Sequence, residues 1–268
     1  MRHLLILASL VSASANAQTC ESYAGQIIAP VNIEAVIAAT SKLPSQKDEF
    51  ETTEQFNARL VNALGTVNGN YVVATKFDPK YAVYDADTQR FKIESYAMDN
   101  INASWDGVFG YGTPHYGKVE HSSVTGSIDI VVSNSEATIG TYRGTNAFGA
   151  STTITKVRRV VKAIFDRQAQ YGETLFAPAP KRGEKTSTTI AELEADATTA
   201  RTLKSAFKAA VVIVPKSPWY GAGKKDWGEP TLDAPRDIDE TVIGVIADIQ
   251  CALITDGSNK VLAAIPTR

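Results

Sequence analysis

A long strand-like stretch in the middle of the sequence reads Thr-Thr-Ile-Thr-Lys-Val-Arg-Arg-Val-Val-Lys-Ala-Ile-Phe, from Thr152 to Phe165. Its β-branched residues favour a strand because branched side chains pack well on a pleated sheet. A similar group precedes it, in which Ser127–Val132 and Ala137–Tyr142 are separated by a predicted break at Ser133-Asn134-Ser135. The short connections favour antiparallel pairing over crossover units.

Further strand signals lie on both sides of this group. Asp85–Thr88 has the composition of a turn, and the segments that flank it are typical of a hairpin. Asp256-Gly257 is a hairpin-turn signal near the end of the chain. The other predicted strands are Tyr71–Ala74, Tyr81–Tyr84, Arg90–Glu94, Ala206–Val214, Thr241–Ile254 and Val261–Ile265, whereas Lys216–Asp239 is predicted to be irregular.

Helical signals are fewer. Thr52 and Gln55 have the spacing of a capping box, and the apolar residues that follow share one helical face as far as Gly65. A short helix is also predicted within Val31–Thr40, and another from Thr188 or Thr189 to about Leu203. The sequence therefore predicts an α+β fold, mainly antiparallel β-sheet with two or three packed helices.

The segment Lys47–Val61, which contains the capped helix, begins with Lys-Asp-Glu-Phe-Glu-Thr and continues with an aromatic residue and an arginine at helical spacing. It resembles a segment found in uncharacterised exported bacterial proteins. The resemblance brings no activity, cofactor or catalytic residue with it. On physical grounds, we expect the amphipathic helix to pack Phe50 and Phe56 onto a sheet.

Residues 1–17 have the three parts of a signal peptide: the charge of Arg2, an apolar run and Ala15-Asn16-Ala17. Cleavage after Ala17 would leave Gln18 as the new N-terminus and release the chain to the periplasm or the medium. Because Gln18 does not fit the small-residue pattern that precedes a lipidated cysteine, we expect no lipid anchor. We also expect no transmembrane segment after cleavage, since no later apolar run reaches about 20 residues. Residues 18–268 are predicted to form a single domain, and the loop near residues 177–187 is the candidate for a subdomain break.

The chain contains two cysteines, Cys20 and Cys251. In an oxidising compartment they are natural disulfide partners, because exported proteins form and keep such bonds. The sequence therefore predicts a disulfide that ties the new N-terminus to a segment near the C-terminus. Pairing would also remove both as nucleophiles, which need a free thiolate.

The charge and motif content exclude several classes of function. The 268 residues include 27 Lys and Arg and 29 Asp and Glu, so the net charge of −2 gives no reason to expect a nucleic-acid partner. Gly221-Ala222-Gly223-Lys224-Lys225 lacks the first glycine and the hydroxyl residue of a phosphate loop. On one extended strand His115 and His121 would lie too far apart to share a metal, and they could do so only if the chain folded back at Gly117, with Glu120 as a candidate third ligand. We therefore expect no cofactor and no metal site.

Catalytic patterns are also missing from the sequence. No Gly-x-Ser-x-Gly motif occurs, so a serine nucleophile has no support. Carboxylates are crowded between residues 226 and 239, and a pair of them at a suitable separation can hydrolyse glycosides. An exported hydrolase that uses these acids, with His115 as a further candidate, is therefore the alternative to a non-catalytic protein.

Two segments combine glycines with aromatic residues, and they contain all three tryptophans of the chain. Glycine-rich loops can display flat rings, which bind sugars or peptide segments when carboxylates and amides lie nearby. The candidate binding residues are Trp105, Tyr111, His115, Tyr116, Trp219, Tyr220 and Trp227. The sequence thus favours a non-catalytic exported protein that binds a glycan or an envelope protein. Beside the hydrolase, a subunit of a surface assembly stays open as a third function, for which an unpaired edge strand would be the clue.

Overall fold

A computed structural model of the chain describes residues 19–44, 46–65, 67, 69–95, 97–98, 128–166, 189–225 and 229–267. The predicted leader at residues 1–17 and the loop near 177–187 lie outside the described residues. The helices within the described ranges are α1 (Ile33–Thr40), α2 (Thr53–Leu64) and α3 (Ala197–Ala206). The strands are β1 (Tyr71–Thr75), β2 (Ala82–Asp85), β3 (Arg90–Glu94), β4 (Ile128–Thr145), β5 (Ser151–Asp166), β6 (Thr189–Glu194), β7 (Lys208–Lys225), β8 (Arg236–Thr255) and β9 (Val261–Pro266).

The main sheet has the strand order β1-β7-β8-β5-β4, and β9 also pairs with β8. Strand β8 pairs with β7 on one side and with β5 and then β9 on the other. All these pairs are antiparallel except β5 with β8, which is parallel. The chain between β5 and β8 is long enough for the crossover that a parallel pair requires. The predicted α+β fold with mainly antiparallel strands is confirmed.

A smaller antiparallel sheet, in the order β2-β3-β6, packs against one face of the main sheet. The main core cluster joins Phe91 and Ile93 of the small sheet to Ile164 and Ile254 of the large one, and helix α1 adds Val36. None of the helices in the described ranges has the length and apolar character needed to cross a bilayer.

The capping box at α2 is confirmed. The Thr52 hydroxyl accepts from the backbone N–H of Gln55 at 3.2 Å, and the Gln55 side chain accepts from the N–H of Thr52 at 2.8 Å. The expected packing of Phe50 is wrong, because Phe50 is 88% exposed in a turn before the helix. In that turn its N–H donates to the Asp48 carboxylate. Helix α2 itself buries no residue, and Phe56 is only half-buried.

The helix predicted from Thr188 or Thr189 to Leu203 is wrong in its first half. Residues 189–194 form strand β6, and α3 begins only at Ala197 behind the N-cap Asp196. Pairing with β3 decides the outcome, because Arg90 lies opposite Glu194 and forms ion pairs with Glu192 and Glu194. Tertiary pairing here overrides a local helix propensity.

Two predicted interruptions are absent from the described strands. Ser133–Ser135 does not break the chain, because β4 continues through it with one bulge between Val131 and Ser133. Lys216–Asp239 is not irregular throughout, since β7 extends to Lys225 and β8 begins at Arg236. In both places a bulge takes up the extra residues, so the strand continues beyond its sequence signal.

Candidate functional site

Most of the aromatic residues that the sequence selected lie outside the described residues. These are Trp105, Tyr111, His115, Tyr116 and Trp227. Trp219 and Tyr220 are described, and both are half-buried in strand β7. Their binding role stays a prediction.

Trp219 occupies a distorted part of β7. Pro215 pairs with Ala247 and Tyr220 with Val245, so residues 216–219 form an enlarged bulge that has no paired residues on β8. Trp219 has a φ of 73°, a left-handed conformation that is costly for a bulky residue. Its indole Nε1 is buried and has no hydrogen-bond partner among the described residues. The tryptophan is therefore held inside the sheet and not displayed on a loop.

The predicted disulfide between Cys20 and Cys251 is wrong in this structure. Both are free thiols, and their sulfurs are not at bonding distance. The two side chains still belong to one apolar cluster, in which Cys251 is fully buried and Cys20 packs against it. Burial raises the pKa of each thiol. Both cysteines are therefore protonated thiols that pack as small apolar side chains in this cluster.

An open groove of about 900 Å³ lies where the β4–β5 hairpin meets the segment that leads into β8. The hairpin contributes Tyr142, Asn146, Thr152 and Ile154 to its lining, among other residues. The segment 229–232 and Asp237 contribute the opposite wall. The groove thus joins parts of the chain that are far apart in sequence.

The hairpin wall is built from a tightly bonded turn. The Asn146 carboxamide oxygen accepts from the backbone N–H groups of Phe148 and Ala150, each at 3.0 Å. Below the turn, Gly144 leaves room for Ile154, whose Cδ1 would lie 2.3 Å from a Cβ at that position. A larger residue at position 144 would therefore force the end of the Ile154 side chain to move.

The opposite wall is also fixed by backbone bonds. The Thr231 hydroxyl accepts from the N–H of Ala234 at 3.1 Å and closes a turn. The carbonyl of Pro235 then accepts from the N–H of Thr155 at 3.0 Å, immediately before the parallel β5–β8 register starts at Thr155 and Arg236. Both walls are thus attached to strand β5, and their relative position is set by the sheet.

Tyr142 shares the groove with two acidic residues, Glu229 and Asp237. Its hydroxyl donates to the Asp237 carboxylate at 3.2 Å, and 41% of the residue remains exposed. Desolvation raises the pKa of the Tyr142 hydroxyl, and the negative charges of Asp237 and Glu229 raise it further. Both carboxylates are therefore close enough to act on the same hydroxyl. The described groove lining contains no Lys, Arg or His.

Of these residues, sequence reasoning identified only the acids. Glu229 and Asp237 belong to the acidic stretch 226–239 named for the alternative hydrolase. Tyr142, Asn146 and Thr152 were missed, because each occurs in an ordinary strand or turn. The only local signal was the Asn146–Gly149 turn between two strand-like runs. Such a turn predicts the tip of a hairpin but does not predict a ligand-binding site.

No known protein family, curated protein or solved structure gives a match to this chain. Among the residues that the structure describes, no group of three or more His, Cys, Asp or Glu side chains is arranged to hold a metal ion.

Proposed function

We propose that this protein is an exported, non-catalytic binding protein that holds a saccharide in the groove between the β4–β5 hairpin and residues 229–237. The partly exposed ring of Tyr142, in the same groove as Glu229 and Asp237, supports this proposal. Sugars present apolar C–H faces, which stack on rings, and hydroxyls, which bond to carboxylates and amides. Asn146 and Thr152 add such polar groups to the same groove.

The binding test compares purified wild type with Tyr142→Ala by titration calorimetry against soluble oligosaccharides released from bacterial cell walls. We expect wild type to bind and Tyr142→Ala to lose at least about fivefold in affinity, since stacking area disappears. Phe50→Ala is the matched control, because it removes an exposed ring that does not line the groove. Equal affinities of wild type and Tyr142→Ala would contradict the proposal.

Export is the second part of the proposal, and residues 1–17 support it. In the native organism we expect intact-mass analysis of the protein to show a chain that starts at Gln18. Fractionation should find that chain in the periplasm or in the medium. A native protein that still carries Met1 would contradict this part of the proposal without affecting the groove.

Glycoside hydrolysis is the second candidate, because Glu229 and Asp237 share a single groove. Two carboxylates that flank a glycosidic bond are the usual catalytic pair. Release of reducing ends by wild type, and its loss in both Glu229→Gln and Asp237→Asn, would establish the enzyme. Binding without any release of reducing ends would establish the non-catalytic protein.

A role as a subunit of a surface assembly has less support. Among the described strands, β4 is an edge of the main sheet, and Ile139 on it is exposed. However, the pairing of β4 with β5 is broken by bulges at Val131/Ser133 and Thr138/Gly140. Bulges and edge charges such as Arg143 are features that keep edge strands from pairing with other chains.

A further inference from the structure

The carboxylates of strands β4 and β8 differ in their counterions. Glu136 pairs with Arg236 at 2.6 Å, Glu240 with Arg159 at 3.0 Å, and Asp239 with Lys224 at 3.3 Å. Each of these acids is thus neutralised by a cation of the same sheet.

Asp237 differs from these neighbours. Among the described residues its partner is the uncharged hydroxyl of Tyr142, and no ion pair reaches it. Glu229, on the same groove wall, is exposed and also has no ion pair with a described residue. Lys156 lies opposite Asp237 in the β5–β8 register but does not line the groove, so the described lining itself places two negative charges beside one aromatic ring. An acidic sugar would be repelled there, whereas an ammonium group would gain from both charges and from the ring face.

We infer that the groove selects saccharides that carry free amino groups, with the ammonium placed between Glu229 and Asp237 and against the ring of Tyr142. This inference rests on the proposed saccharide-binding function and adds the chemical class of the sugar. The sugar hydroxyls then face Asn146 and Thr152 on the hairpin side. N-acetylation removes the positive charge, so the acetylated sugar loses the ionic contribution and keeps only stacking and hydrogen bonds.

The test compares two probes of equal length, the tetramer of glucosamine and the tetramer of N-acetylglucosamine, by calorimetry at pH 6 and low salt. We expect the glucosamine tetramer to bind up to about fivefold more tightly, which is the upper end of the range for a solvent-exposed ion pair. The preference should shrink at about 0.5 M salt, because screening then acts over a few ångströms.

Variants identify the groups responsible. Asp237→Asn and Glu229→Gln should each reduce the preference by about two- to fivefold while affinity for the acetylated tetramer changes little. Asp239→Asn is the matched control, since that carboxylate already pairs with Lys224. Thermal unfolding of each variant verifies that it is folded.

The outcomes separate the two proposals. Equal binding of both tetramers, tighter binding of the acetylated one, or a preference that survives in Asp237→Asn and Glu229→Gln would overturn the inference and leave saccharide binding intact. Binding of neither tetramer, with cell-wall oligosaccharides also failing to bind, would overturn both. A preference that is equally lost in Asp239→Asn would show a general charge effect and would also overturn the inference.

Discussion

Replacing Gly244 by alanine should destabilise the protein through a clash in the centre of the main sheet. Gly244 lies on β8, opposite Ala163 of β5 and Gly221 of β7. A Cβ at this position would lie 2.1 Å from Cε2 and 2.7 Å from Cδ2 of Phe165, and 2.8 Å from the carbonyl oxygen of Ala163. Phe165 is only 1% exposed, so its ring has little space into which it can move.

The magnitude follows from two opposing terms. Overpacking a well-filled core costs about 1–3 kcal/mol, and the contact with a backbone oxygen places this site at the upper end. Alanine also restricts the unfolded chain, which returns about 0.4–1 kcal/mol. We therefore expect a net loss of about 2 kcal/mol in the free energy of unfolding. For a chain of this size the melting temperature should fall by about 4–8 °C.

Urea denaturation followed by tryptophan fluorescence measures this loss. Gly257→Ala is the matched control, because its Cβ would meet only the Cβ of Ala206 at 3.5 Å, an ordinary contact. We expect that variant to differ from wild type by less than about 0.5 kcal/mol. Phe165→Leu should recover part of the loss when it is combined with Gly244→Ala. Unchanged stability of Gly244→Ala would refute the reasoning.

Three further predictions concern other parts of the structure. The Arg236 guanidinium lowers the pKa of Glu136. Their interaction therefore stabilises the fold at pH values above the ordinary glutamate pKa, and this stabilisation is lost as the pH falls through the lowered pKa. The melting temperature of Glu136→Gln should depend less on pH, between about pH 7 and pH 3, than that of wild type. A thiol reagent should label the half-exposed Cys20 in the native protein and Cys251 only on unfolding, and prompt labelling of both would contradict the packing of their cluster. Thr52→Ala should speed amide exchange in the first turn of α2 and lower global stability by less than about 1 kcal/mol, because that helix buries no residue; a larger global loss would contradict this description.

The elements that the sequence predicted well are those whose signals are local. Helix α2 has its capping box within a few residues, and the β2–β3 hairpin has its turn at Asp85–Thr88. Strand β6 was predicted as a helix because its stabilising partner, β3, is distant in sequence. The bulged continuations of β4 and β7 were missed for the same reason, since neighbouring strands keep a chain extended where its own residues favour a break.

The candidate site was predictable only in part, because it depends on long-range register. The acidic residues around the start of β8 were visible in the sequence, but Tyr142 lies on β4 and is brought to Asp237 only through β5. The parallel pairing of β5 with β8 has no local signal, and without it the acids and the ring would have no common groove. Local sequence patterns can predict the segments that form each wall of such a site, but they do not predict how close the two walls lie in the fold.

The same register also bears on how selective the groove can be. Its hairpin wall is fixed by the bonds of Asn146, and its opposite wall by the turn at Thr231 and the bond from Thr155 to Pro235. A site on rigid elements changes shape little on binding, so discrimination between ligands falls on the charges that are already in place. Asp237 bonds to the neutral Tyr142 hydroxyl, whereas Asp239 beside it is paired with Lys224, so Asp237 lines the groove without an ion pair to a described residue. A positively charged ligand would give Asp237 the ion pair that the neighbouring acids already have. By mass action, its binding would raise the melting temperature of the protein.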